Sequence, residues 1–274
     1  MIHFFYYPDN GRAVFWEKKI KRWLKDKWPK IKFSAAKPDA VIALGGDGTI
    51  LEATRKYQKD SALIVGLNLG RIGFLASVRK EINFISFLNR LFQGKFRVNK
   101  RITLSAEVWR KNKKIFATTA LNEVTIQSPI SLVEVGVKIE DHTLQHVRGT
   151  GIMVSTPTGS TAYNLSAHGP IVMPNIKCFI LTEIHDYGLP TPSVVIKRTN
   201  KITLTIEDFR EKKVLKLNEG EQYANVLLVA DGETIFPLEK GDKIKIGSSP
   251  RLVKFAEFEK HYFFKSLQEK FSFR

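Results

Sequence analysis

The run Asp39-Ala-Val-Ile-Ala-Leu44 constrains the fold more than any other segment of this chain. It is nearly continuous in apolar residues and too short for an ordinary helix, the pattern of a strand buried on both faces. Such a strand needs helices on both sides of its sheet, so strands and helices must alternate around it. The neighbouring sequence supplies that alternation. His3 to Tyr7 reads as an apolar strand, Arg12 to Trp28 as a helix, Ala62 to Gly66 as a second buried strand and Glu81 to Phe92 as a helix. The stretch from Arg12 to Trp28 carries Phe15, Trp16, Ile20, Trp23 and Leu24 among lysines. It reads as the cover of one sheet face in preference to a membrane-surface helix.

Near Arg101 the rhythm changes to short alternating runs, among them Ile102–Trp109, Lys114–Thr119, Leu132–Ile139, Ile202–Ile206 and Lys243–Ile246. Period-two alternation with turn residues between runs predicts an antiparallel β domain. The expected architecture is α+β with two domains. A doubly wound α/β domain spans 1–100 and a mostly antiparallel β domain spans 101–252. The tail, 253–274, carries Phe255, Phe258, Phe263, Phe264, Phe271 and Phe273, too many aromatics for an exposed end.

Composition narrows the class without deciding it. Lys and Arg number 44 against 27 Asp and Glu, a net charge of +17. That balance suits phosphates, nucleotides, nucleic acid or acidic lipid, and equally a lysine-rich solvated surface. The single cysteine, Cys178, lies in the apolar run Ile176–Leu181 and reads as a buried structural thiol. No segment approaches the roughly 18 apolar residues of a membrane span, and the start lacks a signal-peptide core. The expectation is a soluble, cytoplasmic protein.

The chemistry concentrates where the first buried strand ends, in Val41-Ile-Ala-Leu-Gly-Gly-Asp-Gly-Thr-Ile50. Glycines at Gly45, Gly46 and Gly48 let backbone N–H groups approach a ligand, and a helix starting by Thr49 adds partial positive charge. The segment is a phosphate cradle without the lysine of a Walker loop and without the GxGxxG pattern. Asp47 within it would repel phosphate unless Mg²⁺ intervenes or the carboxylate faces an incoming hydroxyl. Capping by Asp or Thr would explain one polar residue, not the glycines on either side.

Gly66-Leu-Asn-Leu-Gly-Arg-Ile-Gly-Phe-Leu75 follows the next strand, where open α/β sheets bind ligands. Asn68 can bond a sugar or amide, and Phe74 can lie against a base. In Val154-Ser-Thr-Pro-Thr-Gly-Ser-Thr-Ala-Tyr-Asn-Leu-Ser166 the hydroxyls, with Ala162 and Tyr163, make a lining suited to a nucleoside. Leu121-Asn-Glu-Val-Thr125 pairs an amide with a carboxylate, which suits a ribose diol. His142 and His146 lie in a β-like region and make no metal motif, and no GxSxG elbow is present.

Together Leu44-Gly-Gly-Asp-Gly-Thr49, Asn68–Leu75, Asn122-Glu123 and Ser155-Thr-Pro-Thr-Gly-Ser-Thr-Ala-Tyr163 resemble the NAD kinase family, in its order and at compatible spacing, from about residue 39 to the tail. Gly-Gly-Asp-Gly alone is shared with diacylglycerol, sphingosine and 6-phosphofructokinases; the Ser155–Tyr163 block is more specific. The resemblance implies phosphorylation of the adenosine ribose 2′-hydroxyl of NAD by ATP, another triphosphate or polyphosphate. It implies a tail returning to the first domain and a homo-oligomer, dimer or tetramer. Asp47 would be the acid facing the hydroxyl, with Gly45, Gly46, Gly48 and Thr49 at the donor phosphates. Mg²⁺ would come with those phosphates and not in a protein metal site. Asn68, Phe74, Asn122, Glu123, Thr158, Thr161, Ala162, Tyr163, Ser166 and Asp231 would form the NAD side. Neither a membrane nor a specific nucleic acid is expected as partner. A lipid kinase of the same superfamily and a non-catalytic nucleotide or nucleic-acid binder are the competing readings. The chain departs from the family pattern at Thr150, His168, Thr182–Leu189 and Glu233, all on the dinucleotide side or at subunit contacts.

Overall fold

The computed structural model describes residues 1–271 apart from 72, 188–190, 213–215 and 217–222. Ile72 of the second glycine loop, Gly188 and Leu189 of the departing segment and Phe273 of the tail lie outside the described residues. The chain divides into two compact units, 1–101 with 251–274, and 102–250.

The first unit runs β1 (Ile2–Phe5), α1 (Gly11–Lys27), β2 (Ala40–Gly45), α2 (Asp47–Tyr57), β3 (Leu63–Asn68), α3 (Phe84–Phe92) and β4 (Arg97–Arg101). Strands β1, β2 and β3 pair in parallel. Every residue of β2 and β3 after the first is buried, as apolar runs between two helical layers must be. On one face Ile42, Leu44, Val65 and Leu67 share a core with Trp16, Ile20 and Leu24 of α1 and Phe84, Leu88 and Leu91 of α3. Each such side chain contributes roughly 1.5–3 kcal/mol when fully buried. On the other face α2 closes on the sheet at Gly66, where a Cβ would stand 2.7 Å from Ile50 Cδ1. Helix α1 is started by Asn10, whose side-chain oxygen accepts from Ala13 N at 3.2 Å. The helical stretch expected from Glu81 opens instead as a tight 3₁₀ turn, Glu81–Asn83. There the Glu81 carboxylate is held by Arg12 and Trp16 of α1.

The second unit holds β5 (Leu104–Arg110), β6 (Lys113–Ala120), β7 (Glu123–Gln127), β8 (Val133–Ile139), β9 (His142–Ser155), the short α4 (Tyr163–Ser166), β10 (Cys178–Asp186), β11 (Val194–Lys197), β12 (Ile202–Phe209), β13 (Val226–Ala230), β14 (Thr234–Leu238) and β15 (Lys243–Ser248). All pairings among these strands are antiparallel, in the order β14-β13-β7-β9-β8-β12-β15-β5-β6 with β10 and β11 branching from β9. Residues alternate buried and open along β5 and β15, the pattern of a sheet solvated on one side. The long β9 serves two partners in turn: its first half pairs with β8, and Gly149–Ser155 lies between β7 and β10. His146 is on this strand, its Nδ1 2.9 Å from Glu207 Oε2. Cys178 is free and buried in β10, where burial raises its thiol pKa.

After β15 the chain rejoins the first unit. Strand β16 (Val253–Glu257) enters that sheet parallel to β3 and antiparallel to β4, and α5 (Tyr262–Phe271) follows it. The fold is therefore the expected one: a doubly wound α/β unit, a β unit, and a tail that returns to the first.

Candidate active site

In the first unit the site begins where β2 runs out. Gly45 must be glycine, because a Cβ there would collide with the Thr49 side chain in the first turn of α2. Gly46 occupies the N-cap position and gives α2 no side-chain cap. The N–H groups of that first turn therefore face outward from an uncapped positive helix end. A Cβ built at Gly46 or Gly48 would meet nothing within 4 Å. Protein packing leaves that space open, and the uncapped helix start favours negative charge beside it.

Asp47 is the first residue of α2 and does not cap it. Its carboxylate reaches across to the loop after β3, where Oδ2 accepts from Phe74 N at 2.8 Å and Oδ1 from Leu75 N at 3.3 Å. Gly73 makes this reach sterically possible, since a Cβ there would run into the carboxylate. Burial raises the Asp47 pKa, opposed by the two N–H donors and by the charge of Lys270. An acid raised in this way is a better proton acceptor than an ordinary aspartate.

The loop itself is braced from below. Asn68 is buried, with Oδ1 accepting from Gly70 N and Nδ2 donating to Gly70 O, both at 3.2 Å. Its amide is thus engaged in shaping the loop. Phe74 is also buried, its ring centroid 6.0 Å from Phe263 and 6.3 Å from Phe271 of α5. Lys270 Nζ lies 5.2 Å from the same ring. That α5 is the element packed on this ring is signalled in the sequence only by the density of Phe in the tail.

The second unit gathers its residues at the adjoining ends of β7, β9 and β13. Asp231 sits in the β13–β14 turn with φ of 52°, followed by Gly232 at 72°. Its carboxylate accepts from the backbone of Leu121, Asn122 and Glu123 at 2.8, 2.7 and 3.3 Å. Asp231 thus fixes the Asn122-Glu123 segment from underneath. Thr156 ties that segment to the hydroxyl-rich turn: its N–H donates to Asn122 O and its Oγ1 to Leu121 O. The same Oγ1 accepts from Thr158 N and Gly159 N. At Gly159 the chains approach so closely that a Cβ would strike Asn122 O. Thr158 and Thr161 are buried within this turn, while Tyr163 and Ser166 are exposed and Ala162 half-buried.

Glu123 is 6% exposed and its Oε2 has no hydrogen-bond partner among the described residues. Burial, reinforced by the charge of Asp231, pushes its pKa up to about 8. The group is a largely protonated acid at neutral pH, able to donate one hydrogen bond to a ligand oxygen. Thr150, one of the positions expected to depart from the family pattern, donates Oγ1–H to Ile184 O at 2.8 Å within the sheet.

In the first unit a buried acid at an uncapped helix start suits phosphoryl transfer to an alcohol; in the second a hydroxyl-rich turn suits a nucleoside. Comparison with known proteins makes the class specific. The ATP-NAD kinase N-terminal domain matches residues 9–96, and the ATP-NAD kinase C-terminal domain matches 121–258. An NAD kinase of Natranaerobius thermophilus is 35% identical over 234 residues, 85% of this chain and 77% of that protein. A bifunctional NADP phosphatase/NAD kinase of Methanocaldococcus jannaschii is 34% identical over 245 residues. That match covers 89% of this chain but 40% of the longer protein. Among solved structures, yeast NADH kinase complexed with NADH has a TM-score of 0.87 at 19% identity, covering 100% of this chain and 87% of that one. An NAD kinase from Archaeoglobus fulgidus in complex with ATP has a TM-score of 0.75 at 24% identity, covering 98% and 99%. These two likenesses establish the fold. The chain belongs to the ATP-NAD kinase family.

Proposed function

We propose that this chain transfers the γ-phosphoryl group of ATP to the 2′-hydroxyl of the adenosine ribose of NAD, giving NADP and ADP. The observation that carries this is the Asp47 carboxylate, aimed by two backbone amides beside the uncapped start of α2. The bond from the ribose oxygen to the γ-phosphorus forms as the bond to the β,γ-bridging oxygen breaks. The hydroxyl proton passes to Asp47. The transition state is loose, so holding the two oxygens in line contributes more than deep deprotonation of the nucleophile.

Gly45, Gly46, Gly48 and Thr49 hold the donor phosphates. On the acceptor side Asn122, Thr158, Thr161, Ala162, Tyr163 and Ser166 take the nucleoside ends, and Glu123 donates to an oxygen of the ribose region. Within the first unit Asn68 and Phe74, the further NAD-side residues, shape the loop that aims Asp47; within the second Asp231 braces the Asn122-Glu123 segment. No group of three or more His, Cys, Asp or Glu is placed to hold a metal among the described residues. Mg²⁺ would come with the donor phosphates, held at the Gly45–Thr49 turn, and would offset their charge. The test offers purified chain NAD, NADH and a short-chain diacylglycerol, each with ATP and Mg²⁺. Phosphorylation of NAD or NADH alone supports the reading, and transfer to the diglyceride alone contradicts it.

The same reading carries a cytoplasmic setting and a homo-oligomer, dimer or tetramer. No helix among the described residues is long and apolar enough to cross a membrane. Strand β11 pairs only with β10 among the described strands and leaves Val195 54% exposed. Such an edge can pair with a second copy of the chain. Light scattering should give a mass of two or four copies; a monomer at all concentrations would contradict it.

A further inference from the structure

Helix α5 lies over the loop that aims Asp47, and nothing in the phosphoryl-transfer reading assigns it a task. It is docked firmly. Ser266 is fully buried and Tyr262 nearly so. Arg79 Nη1 is 2.8 Å from Glu269 and Nη2 3.8 Å from Glu259, so one guanidinium ties the last turns of the helix to the segment just before it. The same guanidinium lies 5.0 Å from the Tyr262 ring centroid. From this anchored helix Phe263 and Phe271 close on the Phe74 ring, with Lys270 in cation–π range of it. Phe74 N is the shorter of the two donors to the Asp47 carboxylate. The Phe74 side chain is thus gripped by α5 while its backbone grips the acid.

We infer that Phe263, Lys270 and Phe271 are positioning residues, holding Asp47 in its reactive orientation through Phe74. A loosely held strap over the acid would have to leave before substrate entered. The buried Tyr262 and Ser266 and the double grip of Arg79 make α5 a permanent wall of the site instead. Lys270 also places a positive charge near the carboxylate, favouring its ionised, proton-accepting form against the cost of burial.

This inference rests on the proposed function only for its kinetic readout; a second readout is independent of it. Phe271→Ala removes a ring from Phe74 at the end of α5, leaving the Tyr262–Ser266 anchor and the Arg79 grip in place. We expect kcat for NADP formation to fall about 10- to 100-fold, the scale of a small misplacement of a reacting group, with KM for NAD nearly unchanged. Phe271→Leu, which refills the contact, should recover most of the loss. In parallel, hydrogen exchange of a peptide spanning 73–76 should quicken in Phe271→Ala and be restored in Phe271→Leu. A rise in kcat would overturn the inference and make α5 a blocking strap. A loss of kcat with exchange unaltered would overturn it too, as would an effect on KM alone. If the wild type forms no NADP, the functional reading fails, and the exchange measurement alone decides whether α5 holds this loop.

Discussion

Replacing Asp47 with Asn should lower kcat by about 10²- to 10⁴-fold, the range for loss of a positioned general base. KM for NAD should stay nearly unchanged, because in the proposed reaction the acid faces the reacting hydroxyl and leaves the base and the second nucleotide to other residues. The amide keeps the size of the carboxylate, and its oxygen can still accept from Phe74 N or Leu75 N, though not from both. It also removes the cost of burying a charge, so thermal stability should not fall much. An unchanged turnover in a folded variant would remove Asp47 from the mechanism. A collapse in stability with turnover following it would make the residue structural.

The second large effect concerns stability against pH. Glu123 has its pKa raised from an ordinary 4.5 to about 8 in the folded chain. Between those values the unfolded chain has released the proton and the folded chain still holds it. Raising the pH therefore favours unfolding, and the wild type loses stability from about pH 4.5 to about pH 8 through this group, levelling off above. The total is on the order of several kcal/mol, at 1.36 kcal/mol per unit of pKa difference. Glu123→Gln carries no ionisable proton at this position. Its melting temperature should match the wild type near pH 4 and exceed it increasingly up to pH 8. Parallel melting curves across that range would show that Glu123 ionises normally in the folded chain, through solvation or a cation within reach of Oε2.

The part of this fold that the sequence made legible is the part whose cause is local. A continuous apolar run forces a strand buried on both faces, and the Gly-Gly-Asp-Gly that ends it forces a turn into an open helix start; β2 and α2 follow directly. The alternation in Leu104–Arg110 and Lys243–Ser248 likewise fixes an antiparallel sheet with one wet face. What remained hidden depends on residues far apart in the chain. Val253–Glu257 alternates like any edge segment, and nothing in it says that it will sit between β3 and β4 of the first sheet. Asp231 reads as a turn residue, yet it binds three N–H groups about 110 positions earlier. Asn68 and Phe74 suit a ligand by their chemistry, and no local pattern says that Gly70 and α5 will also engage their side chains. Residue type indicates what a group can bond; only the fold decides which partner reaches it first.

Turnover is the most direct test: purified chain with NAD, ATP and Mg²⁺, the product read by a dehydrogenase that accepts only NADP⁺, beside Asp47→Asn at equal folded concentration. Product from the wild type, with little from the variant, is the expected result. No product from folded wild type, with NADH and polyphosphate also offered, would contradict NAD phosphorylation and point to a different acceptor at the Thr150 and His168 side of the site.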